Sequence, residues 1–143
     1  MPYLRVWIHF VWSTKNRERL LTQDIRQTVF SHIKQNAVKK DIFLDCVNGY
    51  EEHIHCLISL GVDQTISKVM QLIKGEASHW INQNNLCRRK FEWQDEYFGV
   101  SVSESILEKV RHYIYNQEDH HRKKSFAHEY NEFITKYGFE KLR

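Results

Sequence analysis

Proline is almost missing from this chain. The one proline, Pro2, precedes every periodic stretch, and glycine occurs only five times in 143 residues. No Pro- or Gly-rich linker, repeat or low-complexity run divides the sequence, so a single domain over residues 1–143 is expected. Long hydrophobic runs are also missing: none approaches the roughly 18–20 residues of a membrane-crossing helix. The cysteines Cys46, Cys56 and Cys87 are odd in number, far apart and without a C-x-x-C pair. That pattern speaks against a disulfide framework and against a zinc–cysteine site. The stretch Met1-Pro2-Tyr3-Leu4-Arg5 has neither the basic region nor the apolar stretch of a secretory signal. A cytoplasmic protein with reduced thiols is therefore expected. Charge of one sign is lacking as well, since the formal net charge is only +3.

What the sequence does contain is strong periodicity. Arg5 to Ser13 reads as a strand, with Val6, Ile8, Phe10 and Trp12 on one face. A helix opening at Thr22 or Asp24 runs to about Lys40, its stripe made by Ile25, Val29, Phe30, Ile33 and Ala37. Ile42 to Asn48 and His53 to Leu60 read as a hairpin whose turn starts at Asn48-Gly49. A second helix spans about Thr65 to Asn82, interrupted by Gly75, which suggests close approach by another backbone or by a ligand. A fourth strand is expected around Tyr97 to Val102. Ser105-Ile106-Leu107-Glu108 has the form of a capping box, starting a helix to about Glu118. A last helix from Phe126 to Tyr137 ends at Gly138. The order β-α-β-β-α-β-α-α begins as a ferredoxin-like, RRM-like α+β fold. In that layout both helices cover one sheet face, the other face stays open, and the first and third strands are central.

Candidate chemistry sits on that frame. Side chains alternate along a strand, so His53 and His55 point the same way and can bind one divalent cation. Equally, they can be two unrelated polar residues on an exposed face. Tyr113 and Gln117 are four apart on one predicted helix and share a face. A glutamine oxygen suits a hard cation, and a tyrosine one turn away can attack a phosphate that the cation polarises. The same spacing fits a half-buried tyrosine beside an incidental glutamine. Basic clusters at Lys15, Arg17 and Arg19, at Arg88-Arg89-Lys90, and at His120-His121-Arg122-Lys123-Lys124 are either phosphate contacts or solvated surface. Lys74 beside Gly75 is placed to reach a phosphate, or else is a solvated helix lysine. Trp93, Tyr97 and Phe98 either stack on bases or join the core.

Five stretches, in order, tie these features together: Val11-Trp12-Ser13-Thr14-Lys15-Asn16-Arg17, Glu52-His53-Ile54-His55-Cys56-Leu57-Ile58, Ile73-Lys74-Gly75, Trp93-Gln94-Asp95-Glu96-Tyr97-Phe98-Gly99, and Tyr113-Ile114-Tyr115-Asn116-Gln117. Together they resemble the single-tyrosine HUH transposases, the IS200-like group that includes REP-associated tyrosine transposases. The resemblance implies that His53, His55 and Gln117 hold a divalent cation, Mg2+ or Mn2+, and that Tyr113 is the nucleophile. It implies cleavage of single-stranded DNA with a 5′-phosphotyrosine link and a free 3′-hydroxyl, recognition of hairpin ends, and no nucleotide cofactor. It also implies a homodimer, in some members with the tyrosine helix docked on the partner's histidines.

Rivals remain at the level of residues. Tyr115 is a second tyrosine, but on the opposite side of the helix from Tyr113. His9 faces away from Ile8 and Phe10, and so towards His53 and His55, as a neighbour or DNA contact more readily than a ligand. His112, His120 and His121 read as phosphate contacts or exposed residues. Two other functions compete with a transposase: a catalytically silent hairpin-binding module, and a metal-dependent phosphodiesterase that uses water. Within the transposase reading, a mobile element's own enzyme and a domesticated repeat-processing relative both stand.

Overall fold

In a computed structural model, residues 2–137 are described. Four strands, β1 (Trp7–Ser13), β2 (Phe43–Gly49), β3 (His53–Ser59) and β4 (Phe98–Val102), form an antiparallel sheet in the order β2-β3-β1-β4. The first and third strands are central, as the ferredoxin-like reading expects. Helix α1 (Gln23–Lys39) and the helical stretch after β3 cover one face. That stretch is α2 (Ile66–Met70), one π turn (Gln71–Gly75) and α3 (Glu76–Gln83). Ile8, Phe10, Trp12, Ile54, Cys56 and Ile58 meet Val29, Phe30, Ile33, Val69, Ile73, Ala77 and Ile81 there in the main core. Val6 lies before β1 and is exposed, so the inward stripe of the first strand starts at Ile8.

The second face departs from expectation, because it is not open. Helices α4 (Leu107–Tyr115), α5 (Gln117–Lys123) and α6 (Phe126–Tyr137) lie over it. Trp7, Cys46, Leu57, Val102, Leu107 and Ile114 form a second, smaller core beneath α4. The physical cause is in the strands. The face carrying His9, His53 and His55 also carries Trp7, Val11 and Leu57, apolar area that must be covered. Six of the seven residues in each of β1 and β3 are accordingly buried.

Local details differ too. Asn48 and Gly49 remain in β2, and the turn falls at residues 50–52. Ser103, not Ser105, caps a short 3-10 turn (Glu104–Ile106) before α4, its hydroxyl accepting from the Ser105 N–H. The expected helix to Glu118 is broken at Asn116, so Tyr113 lies in the last turn of α4 and Gln117 begins α5. Nothing lies within 4 Å of a Cβ built on Gly75; among the described residues no backbone approaches it. It lines an open cleft with Lys74, Trp93 and Gln94, so a ligand remains as its rationale. Gly138, expected to end the last helix, lies outside the described residues.

Candidate active site

His53 and His55 reach the covered face because β3 pairs in register with β1, His55 opposite Val11 and His53 opposite Ser13. Both side chains are fully buried. Each has its Nδ1 occupied: His53 Nδ1 lies 2.8 Å from Glu52 Oε1, and His55 Nδ1 lies 2.9 Å from His9 Nε2. A carboxylate accepts only, so His53 donates Nδ1–H to Glu52. The Nε2 atoms of both rings point into the space under α5 and α6. Burial, and then the neighbouring His55, push His9 down to about 3. Burial likewise takes His55 down to about 4, against the opposing pull of Glu129. His9 and His55 are thus neutral near pH 7, and neutral imidazole is the form that ligates a metal. Burial works to raise Glu52, but the hydrogen bond and charge of His53 prevail and hold it below the ordinary carboxylate range.

Gln117 and Tyr113 join the same space. Gln117 is fully buried, with Oε1 at 3.1 Å from His53 Nε2 and its amide donating to Tyr113 O at 3.1 Å. The break at Asn116 has therefore not separated the pair. Asn48 on β2 donates to the carbonyls of Ile114, at 3.0 Å, and Tyr115, at 3.1 Å. It satisfies the orphan carbonyls at the end of α4 and fixes where that helix stops. The ring of Tyr113 meets His55 edge-on, centroids 5.5 Å apart, within one chain. Tyr115 points away and is exposed, beside Asp45 and Cys46. His112 bonds Asn116 at the surface.

The described site also holds residues that the sequence reading leaves out or places elsewhere. Glu129, on α6, is 1% exposed. Its Oε1 lies 3.2 Å from His55 Nε2 and 3.6 Å from His53 Nε2, while Oε2 accepts a short hydrogen bond from the Tyr113 hydroxyl. His120 and His121 are not solvated phosphate contacts. His121 Nε2 lies 3.0 Å from Gln117 Oε1, and His120 Nε2 lies 2.8 Å from Glu129 Oε2, off the angle of a hydrogen bond. Burial, then the charge and hydrogen bond of Glu129, raise the Tyr113 hydroxyl well above its ordinary value. Burial would raise Glu129, but hydrogen bonds from the histidines hold it well below. A signal for Glu129 does exist in the sequence. It stands among Phe126, Tyr130 and Phe133, a carboxylate inside the apolar stripe of the last helix.

His53, His55 and Glu129 form a cluster that can hold a metal ion. Adjacent donors around a cation at about 2.1 Å stand about 3.0 Å apart in an octahedron and about 3.4 Å in a tetrahedron. The separations of 3.1, 3.2 and 3.6 Å match that spacing.

The expected DNA contacts are spread more widely. Lys15 and Lys90 pair with Glu92, Arg89 with Glu18 and Arg122 with Asp119, all at the surface; Arg88 and Lys123 are exposed. Lys74 donates to the carbonyls of Gln94 and Asp95 at 2.8 and 3.2 Å, which leaves one of its three N–H donors. Arg17 covers the rings of Tyr130 and Phe126, at 4.7 and 5.5 Å. Trp93 is a core residue, edge-on to Trp12 and Phe91 with its N–H on Lys74 O, because burying that indole with its N–H satisfied outweighs exposing it to a base. Among the described residues no helix is long and apolar enough to cross a membrane.

Comparison with known proteins agrees with this architecture. The ISDra2 transposase TnpA of Deinococcus radiodurans is 21% identical over 116 residues, covering 78% of this chain and 83% of that protein. A crystallised D. radiodurans R1 protein assigned as a transposase superposes with a TM-score of 0.65 at 19% identity, over 82% of this chain and 95% of the other. A REP-associated tyrosine transposase bound to a REP hairpin superposes with a TM-score of 0.60 at 18% identity, over 86% and 71%. These two structures speak for the fold. The pattern described as "Transposase IS200 like" matches residues 3–117, through β1, β3 and α4, and the chain therefore belongs to the IS200-like transposase family.

Proposed function

We propose that this chain cleaves and rejoins single-stranded DNA with Tyr113 as nucleophile and a divalent cation held by His53, His55 and Gln117. In the cleavage step Tyr113 Oη bonds to phosphorus and the bond from phosphorus to the 3′ oxygen breaks. The phenolic proton leaves and the departing 3′ oxygen takes up a proton. A 5′-phosphotyrosine and a free 3′-hydroxyl result, and attack by a 3′-hydroxyl reverses the step. When bound, the cation supplies charge neutralisation at the phosphate. The chain's own residues do the rest. Glu52 and His9 orient the two imidazoles, Asn48 sets the end of α4, and Gln117 holds the Tyr113 carbonyl.

The observation that carries this reading is the convergence of His53, His55, Gln117 and Tyr113 in one buried space, with Tyr115 outside it. The hairpin seen with one structural relative supports hairpin ends as the substrate. We further propose one domain over residues 1–143, a homodimer, action in the cytoplasm, and phosphate contacts from Lys15, Arg17, Lys74, Arg88, Arg89, Lys90, Arg122 and Lys123. The test is a denaturing-gel adduct assay on single-stranded DNA from the ends of the chain's own locus, with Mg2+ or Mn2+. A protein–DNA band that disappears in Tyr113→Phe and with chelator is expected. A band that survives Tyr113→Phe sinks the assignment of the nucleophile, and one that survives chelation sinks the metal.

A further inference from the structure

The segment after residue 117 lies beyond the family pattern, yet α6 places a carboxylate at the centre of the site. Glu129 is 1% exposed, and a buried carboxylate is costly unless an opposite charge compensates it. The partners of its two oxygens are imidazoles and one phenol: Oε1 faces His55, His53 and His121, and Oε2 faces Tyr113 and His120.

His53 Nε2 faces two oxygens, Gln117 Oε1 at 3.1 Å and Glu129 Oε1 at 3.6 Å. Possible ligand atoms of His53, His55, Gln117 and Glu129 converge at 3.1–3.6 Å, the spacing of ligands around a shared cation.

We infer that Glu129 is a fourth protein ligand of the cation, completing a site of two imidazoles, an amide oxygen and a carboxylate. This inference rests on the proposed metal site at His53 and His55 and extends it. Glu129 Oε1 binds the ion, while Oε2 keeps the Tyr113 hydroxyl, so one side chain ties the ion to the nucleophile. Two imidazoles with one carboxylate also favour Mn2+ over Mg2+, since imidazole suits transition ions and magnesium prefers all-oxygen sites.

The experiment is a Mn2+ titration of the full chain, followed by loss of the free-ion EPR signal. It compares the unmodified protein with Glu129→Gln, Glu129→Asp and His53→Ala. Expected are abolished binding in His53→Ala, affinity lowered on the order of tenfold or more in Glu129→Gln, and an intermediate value in Glu129→Asp. Glu129→Gln binding Mn2+ within twofold of the unmodified protein, while His53→Ala does not bind, overturns the role of Glu129 and leaves the metal site standing. Undiminished binding in His53→Ala overturns the metal site itself. A second measurement needs no variant. In protein carrying 13C-labelled glutamate, saturating Mn2+ should broaden the Glu129 carboxyl resonance beyond detection, and a sharp resonance overturns the inference.

Discussion

At the scale of single residues, close contacts make some positions intolerant. A Cβ on Gly49 would lie 2.2 Å from the carbonyl oxygen of His53, a backbone atom that cannot swing aside. Gly49→Ala must therefore push β2 from β3 at the first histidine. We expect a loss of roughly 1–3 kcal/mol in urea denaturation, with Mn2+ binding weakened in step. Unchanged stability would show that the hairpin yields without effort. The thiols make a second residue-level prediction. Cys46 is buried, and burial, then Asp45, push it up to about 12; burial also raises Cys56 well above its usual value. Cys87 is partly exposed, and burial, then Asp24, raise it. In the folded protein Cys87 should react first with a chromogenic disulfide, and Cys46 and Cys56 only on unfolding. Equal rates at all three would contradict this packing. Of the candidate site, the shared face of His53 and His55 and that of Tyr113 and Gln117 were legible from alternation and helical spacing, since those periods are local, while the roles proposed for them come from the family resemblance. The roles of Glu52 and Glu129 were not legible, although the apolar stripe around Glu129 marks that carboxylate as unusual. Their roles depend on which ring nitrogen or hydroxyl lies within reach, and spacing does not encode that.

At the scale of elements, the site depends on how α4 ends and how α6 lies. Asn48 gives its amide to the last carbonyls of α4 at 3.0 and 3.1 Å. Asn48→Ala removes both bonds, and we expect a loss of about 1–2 kcal/mol with a lower adduct yield, read by thermal melting and by the gel assay. Retention of full adduct yield would mean that α4 is positioned by its packing alone. The N-terminal end of α6 is pinned by Arg17, whose guanidinium lies over Tyr130 and Phe126, and by Phe126 stacked on His53 at 4.2 Å. Arg17→Ala should cost about 0.5–1 kcal/mol and speed amide exchange in α6 more than in α1. Equal exchange in both would show that Arg17 does not hold the helix. Arg17 owes its place to a loop with positive φ at both Asn16 (58°) and Arg17 (55°), a turn that the basic run alone did not disclose. The helices were legible in existence and roughly in extent. The break at Asn116 and the π turn at Gln71–Gly75 were not, because both are small departures from a ladder whose sequence stays compatible with continuous helix.

At the scale of the whole molecule, Tyr113 meets His55 of its own chain, so one chain contains every residue assigned to the site. Mixing Tyr113→Phe with His53→Ala should then restore no covalent adduct. Restored adduct in the mixture would mean that tyrosine and histidines come from different chains. Strand order, the main core and the placing of both histidines on one face followed from the sequence alone, because alternation in strands and the stripe of a helix are dictated by backbone geometry. The covering of the second face followed only from the tertiary structure. His9, His53 and His55 make that face read as polar, yet Trp7, Val11 and Leu57 beside them supply the apolar area that draws α4 down onto it. Whether a histidine is a surface group or a buried ligand depends on what lies above it. Here α5 and α6 decide that, through Gln117, His121 and Glu129, residues 64 to 76 positions downstream of the histidines they meet. Local periodicity carries no information over such a separation; the closing of the chain on itself does.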